Sequence, residues 1–154
     1  MESSPATLGG ILKKNKGFSL LELLIVVAII LLIATIAIPS LLRSRQAANE
    51  SSAVANMRNL NTAEVSYSST NGTYGSLNDL VTAGLVDERY TSSSFSGYRW
   101  TLILSSGNLN YSAYADGLSA NTSRYDYYSS PDFVVRYSTV ASRAPAGMTG
   151  EPVQ

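Results

Sequence analysis

The chain has 154 residues, 11 basic against 11 acidic, with no histidine and no cysteine. Its length suits one domain, and the two missing residue types exclude Cys nucleophiles, Ser–His and Cys–His pairs, zinc sites on those ligands, and disulfides. No basic stripe follows residue 17, so nucleic acid is not an expected partner.

The charge is unevenly spread. Lys13, Lys14 and Lys16 are the only lysines, and beyond Gly17 eight arginines face ten acids. A basic cluster followed by an apolar run has the layout of an export signal. The run from Phe18 to Leu42 is interrupted only by Ser19, Glu22, Thr35, Pro39 and Ser40. As a helix it would measure roughly 38 Å, enough to cross a hydrocarbon core of about 30 Å. The lysines on one flank outweigh Arg43 and Arg45 on the other, which predicts a cytoplasmic amino end and an exported carboxyl end. Glu22 is the anomaly, because a charge at the bilayer centre costs about 2.5–3.5 kcal/mol.

Pro39 would interrupt an ordinary helix, yet helical periodicity continues past it. On a 100° wheel, Ala47, Ala53, Val54, Met57, Leu60, Val65 and Tyr67 share an apolar arc, with Glu64 inside it and Ser52, Asn59, Thr62 and Ser66 opposite. The expectation is one helix from about Ser19 to Ser68, apolar all round at first and amphipathic later. It would be roughly 75 Å long, too long for a compact domain of this size. The turn formers of STNGTYG, residues 69–75, stop it. Ser76 is placed to cap a short helix that ends near Gly84.

Residues 97–117 read as two strands. Tyr98, Trp100, Leu102 and Leu104 share one face, 105–108 form the turn, and Leu109, Tyr111 and Ala113 share the next face. A third strand is expected over 132–140 and a mobile tail from 141. Tyr125, Tyr127 and Tyr128 read as half-buried strand and loop aromatics ahead of an adhesive patch or an electron path. Asn49, Asn71 and Asn121 head glycosylation triplets of the kind a Ser-, Thr- and Asn-rich chain carries by chance.

The stretch KGFSLLELLIVVAII, with its basic lead-in, resembles the amino-terminal signature of type IV prepilins and of the related type II secretion pseudopilins. The resemblance implies an α+β pilin fold, in which a long helix packs its carboxyl half on a small antiparallel sheet. It implies that a membrane-embedded prepilin peptidase cuts between Gly17 and Phe18 and N-methylates Phe18. Glu22 then falls where the family places the glutamate that pairs with the terminal amine of a neighbouring subunit. Pro39 matches a recurrent proline of the long helix, as a kink or a point of local melting.

The organisation expected on this basis is a leader over 1–17, a transmembrane or filament-core helix over 18–42 and its amphipathic half over 43–70. A connecting loop with a short helix follows over 71–97, then the sheet over 98–140 and the tail over 141–154. The partners implied are further copies of the chain, the peptidase, an inner-membrane assembly platform and membrane lipid, with no cofactor and no metal. The precursor is expected in the inner membrane and the assembled subunit in an extracellular pilus. Many type IV pilins close a carboxyl-terminal loop with a disulfide, whereas here the last strand must be held by packing, hydrogen bonds or an ion. Some pseudopilins bind calcium in that region, but Asp116, Asp126 and Asp132 match no EF-hand-like spacing and read as turn aspartates.

Two other classes are carried alongside. A pseudopilin of a type II secretion system shares the amino-terminal chemistry, and a single-span protein that never polymerises would explain the apolar run but not the Gly-Phe junction. An enzyme is not expected: no lysine follows Lys16 for a Ser–Lys dyad, and no carboxylate pair stands out.

Overall fold

The computed structural model describes residues 17–92, 94–138 and 150–153. A helix, α1, spans Leu20–Asn71, and a short helix, α2, spans Leu77–Thr82. Five strands follow: β1 Tyr98–Leu104, β2 Tyr111–Gly117, β3 Tyr127–Ser129, β4 Arg136–Tyr137 and β5 Glu151–Pro152. They form one antiparallel sheet in sequence order. The chain divides into two units between Ala37 and Ile38.

In the first unit, α1 carries Leu, Ile, Val and Ala on every face, and its large apolar side chains are exposed all round. Such a helix has no intrinsic direction in which to bury itself. It is long and apolar enough to cross a membrane.

In the second unit, the rest of α1 buries Ala53, Met57, Leu60 and Ala63 in one cluster with Tyr98, Trp100, Tyr111, Ala113 and Ala115. The period-2 alternation of β1 and β2 turns these inward, in the register Trp100↔Ala115, Leu102↔Ala113 and Leu104↔Tyr111. Trp100 stacks on Phe95 at 5.1 Å, and Tyr90 meets the indole edge-on at 5.4 Å. The expected shared face of β1 is observed. Leu109, expected on the inner face of β2, lies outside the strand and is exposed, since β2 begins only at Tyr111.

The stop after α1 is local chemistry. Gly72 follows the last helical residue with φ +74°, which closes the helix at little cost only for glycine. Ser76 caps α2 in a reciprocal box: its hydroxyl accepts from the Asp79 N–H, and the Asp79 carboxylate accepts from the Ser76 N–H.

The region after β2 departs from expectation in three places. Residues 132–140 were expected to form one strand, but only Arg136–Tyr137 pair; Phe133 takes φ +60° and breaks the extended run, and residues 139–140 lie outside the described residues. The short strand Tyr127–Ser129, with both tyrosines buried, was not expected as a strand. The tail expected from 141 is mostly outside the described residues, but Glu151–Pro152 pair with β4 as an edge strand. The Val153 N–H donates to the Val135 carbonyl, and the Tyr137 hydroxyl donates to the Glu151 carboxylate. Pro152 is tolerated there because an edge strand need not donate on both sides.

The loop between β2 and β3 closes tightly on Gly117, where a Cβ would come within 1.8 Å of Ser123 Oγ, and the Gly117 N–H donates to the Asp126 carboxylate. Gly117→Ala is therefore expected to force the loop outward and cost about 1–3 kcal/mol. Thermal unfolding reads the effect, and an unchanged midpoint would contradict the tight approach.

Candidate functional site

Gly17, Phe18 and Ser19 precede α1 without helical structure, and Phe18 is 85% exposed. A Cβ added at Gly17 would meet nothing within 4 Å. The Gly17–Phe18 bond thus lies in non-helical backbone. The Ser19 carbonyl accepts the first intrahelical bond, from the Leu23 N–H at 3.1 Å. Glu22 sits in the first turn of α1, where the unpaired N–H groups of the helix end favour a negative charge.

Pro39 lies inside α1. It withholds an N–H from the Thr35 carbonyl, and hydroxyls on either side bond back to the helix: Thr35 to the Leu32 carbonyl and Ser44 to the Ser40 carbonyl. Such back-bonding often bends helices. Gly17, Phe18 and Glu22 belong to the first unit, at the start of α1, and Pro39 belongs to the second.

A second polar arrangement on α1 escaped the sequence reading. Gln46, Asn49 and Glu50, at helical spacing on one face, reach the loop between β2 and β3. Gln46 and Asn49 donate to the Ala120 and Thr122 carbonyls, and Glu50 accepts from the Arg124 N–H and from its guanidinium at 3.0 Å and 2.6 Å. The i, i+3, i+4 run of polar residues was the available signal, but its partners lie over 70 residues away.

The aspartates near the carboxyl end serve the chain itself. Asp126 accepts from Gly117, while Asp132 pairs with Arg136 and accepts from the Val134 N–H. Among the described residues no group of three or more acidic side chains is gathered to hold a metal ion.

Residues 12–38 match the family described as the prokaryotic N-terminal methylation motif. A 61-residue segment is 43% identical to the type IV major pilin protein PilA of Myxococcus xanthus (strain DK1622). Over these segments the chain is similar to type IV pilins. The aligned segment covers 40% of this chain and 28% of that relative, so the chain spans under a third of the relative's length. The motif match takes in the lysines, the Gly17–Phe18 junction and Glu22, and ends one residue short of Pro39. Below the motif, the long apolar helix and small antiparallel sheet form the α+β arrangement that the resemblance implies.

Proposed function

We propose that this chain is the precursor of a type IV pilus subunit, anchored in the inner membrane with its amino end in the cytoplasm and then polymerised through α1. The observation that carries the reading is the first unit itself: an apolar surface exposed all round, with a single carboxylate in its first turn beside a non-helical Gly-Phe junction. Each Leu or Ile left in water forgoes about 1.5–3 kcal/mol of burial, so the helix needs a continuous apolar environment. Lipid supplies it before assembly, and a bundle of identical helices supplies it afterwards.

The chemistry of Glu22 then follows. A prepilin peptidase hydrolyses the Gly17–Phe18 amide with water, leaving a carboxylate on Gly17 and an amine on Phe18; the amine then attacks the methyl carbon of a sulfonium methyl donor, which leaves as a thioether, and the methylated amine sheds a proton. The amine is cationic near neutral pH. A lone carboxylate and a lone ammonium are each costly away from water, but they attract strongly where the dielectric is low. The Phe18 amine of one subunit against Glu22 of the next sets the axial register. The pair selects an arrangement of helices whose cohesion comes mainly from apolar contact. Pro39 lies where α1 leaves the apolar run, so a kink or local melting there adjusts the helix to the filament without breaking the pairing end.

Mass spectrometry of protein sheared from the cell surface tests this. The expected amino-terminal peptide begins at N-methylated Phe18. An intact Met1, or a start near Ser40, would overturn the assignment and return the chain to the single-span class.

A further inference from the structure

Glu64 has no part in the proposed assembly, yet it is fully buried in the second unit. One carboxylate oxygen, Oε2, accepts from the Gly75 N–H at 3.0 Å, and the other, Oε1, has no hydrogen-bond partner among the described residues. Gly75 is itself buried, with the Tyr67 ring where a Cβ would sit, 2.9 Å from its nearest carbon. The connection between α1 and α2 is thus fastened to Glu64 through one backbone N–H, next to the Tyr74 N–H that donates to the Asn108 carbonyl at 2.9 Å.

Among the described residues Glu64 has no ion-pair partner. On α1, Asn61 is committed to Tyr111 and to the Phe133 carbonyl. From the connection comes the Tyr74 ring, edge-on to Tyr111 at 4.9 Å. From β2 comes the Tyr111 phenol, which burial and the proximity of Glu64 keep protonated. From α2 comes Asp79, a like charge. Asp132, beyond Tyr111, is paired with Arg136. The ion pairs of Arg89, Arg124 and Arg136 with Asp87, Glu50 and Asp132 all lie elsewhere, and none among the described residues reaches Glu64.

We propose that Glu64 is a proton-operated latch on the α1–α2 connection, closed while the carboxyl is neutral and released to water when it ionises. The charged form would bond the Gly75 amide more strongly, but one N–H does not replace the hydration of a full charge. Water must therefore reach Glu64, and the segment that can yield is the connection lying over it. Burial, opposed by the Gly75 bond and reinforced by Asp79, raises the carboxyl from 4.5 to about 7. The folded chain then holds a proton that the opened chain has already lost. The closed form is at full strength below pH 4.5 and weakens as pH rises towards 7. The latch is independent of polymerisation, so it stands or falls separately from the pilus assignment.

The test is amide hydrogen exchange of the full chain in detergent micelles, read as the protection factor of Gly75, which removes the intrinsic base catalysis. In the wild-type chain that protection should fall roughly ten- to a hundredfold between about pH 5 and 9. In Glu64→Gln, which keeps the acceptor and cannot ionise, it should stay level near the wild-type acid value. A level profile in the wild type, or an equal slope in the variant, would overturn the latch. If Glu64→Gln does not fold, the wild type still decides. The fall in Gly75 protection must level off at the pH where the carbon-13 signal of the folded-chain Glu64 carboxyl has its titration midpoint, and a fall that ends well away from that pH refutes the coupling.

Discussion

Glu22→Ala is expected to give a chain that still reaches the membrane and is still cut at Gly17, but that is nearly absent from the sheared surface fraction. Under the proposed pairing, the variant leaves the Phe18 amine of each neighbour buried without a counter-charge. Breaking a buried pair from one side costs about 3–5 kcal/mol, which corresponds to a loss of assembled subunit of roughly a hundredfold or more. Glu22→Asp, which keeps the charge one methylene shorter, should recover part of the yield. Immunoblots of the membrane and sheared fractions make the comparison. Wild-type quantities of filament from Glu22→Ala would remove the pairing from the account and leave apolar contact alone to set the register. A lone anchor, by contrast, would be indifferent to the substitution.

Leu60→Ala acts on the other unit and through a different mechanism. Leu60 is fully buried in the cluster that α1 forms with Trp100, Tyr111 and the β2 alanines. Truncating it removes transfer free energy and leaves a cavity, together about 2–5 kcal/mol. For a domain of this size the unfolding midpoint should fall by roughly 10 °C or more. Trp100, the only tryptophan, lies in the same cluster and reports the transition by fluorescence in the detergent-solubilised chain. Leu31→Ala is the control: Leu31 is 61% exposed on the apolar half of α1, and its loss should leave that midpoint unchanged. Equal effects from the two variants would mean that the second unit does not own the cluster assigned to it.

What the sequence disclosed depended on how local the cause was. The end of α1 and the cap of α2 were legible because Asn71-Gly72 and Ser76 with Asp79 act over three or four residues. The inner face of β1 was legible because seven residues allow an alternation to show. The buried face of α1 was read less well. Ala47 and Val65 were placed in the apolar arc and are exposed; Glu64, placed inside the same arc, is buried, and so are Glu50 and Asn61, which were given no face.

Each of the three buried polar residues has a partner outside α1: Arg124, Tyr111 and Gly75 respectively. Strands β3, β4 and β5 have two or three residues each, too few for any period, and exist because a neighbouring strand offers its edge. At the candidate site, Glu22 and Pro39 could be picked out because an acid and a proline are conspicuous against an apolar run, whereas Gly17 and Phe18 were singled out by the resemblance to prepilins. The staple of Gln46, Asn49 and Glu50 could not be, because an exposed polar face and a polar face under a loop look alike in sequence.

That staple, together with β5, closes the carboxyl-terminal region of a chain that has no cysteine. Its fastenings are carbonyls, amides and a guanidinium–carboxylate pair, all formed by diffusion and reversible without a change of oxidation state. Acquiring the fold therefore does not wait on thiol-oxidising enzymes, and an external reductant has no bond to attack. The same absence makes the protein a blank background for thiol labelling. One introduced cysteine on an exposed position such as Ser69 would be uniquely addressable by a maleimide dye, allowing individual subunits to be followed without disturbing the fastenings that hold the domain closed.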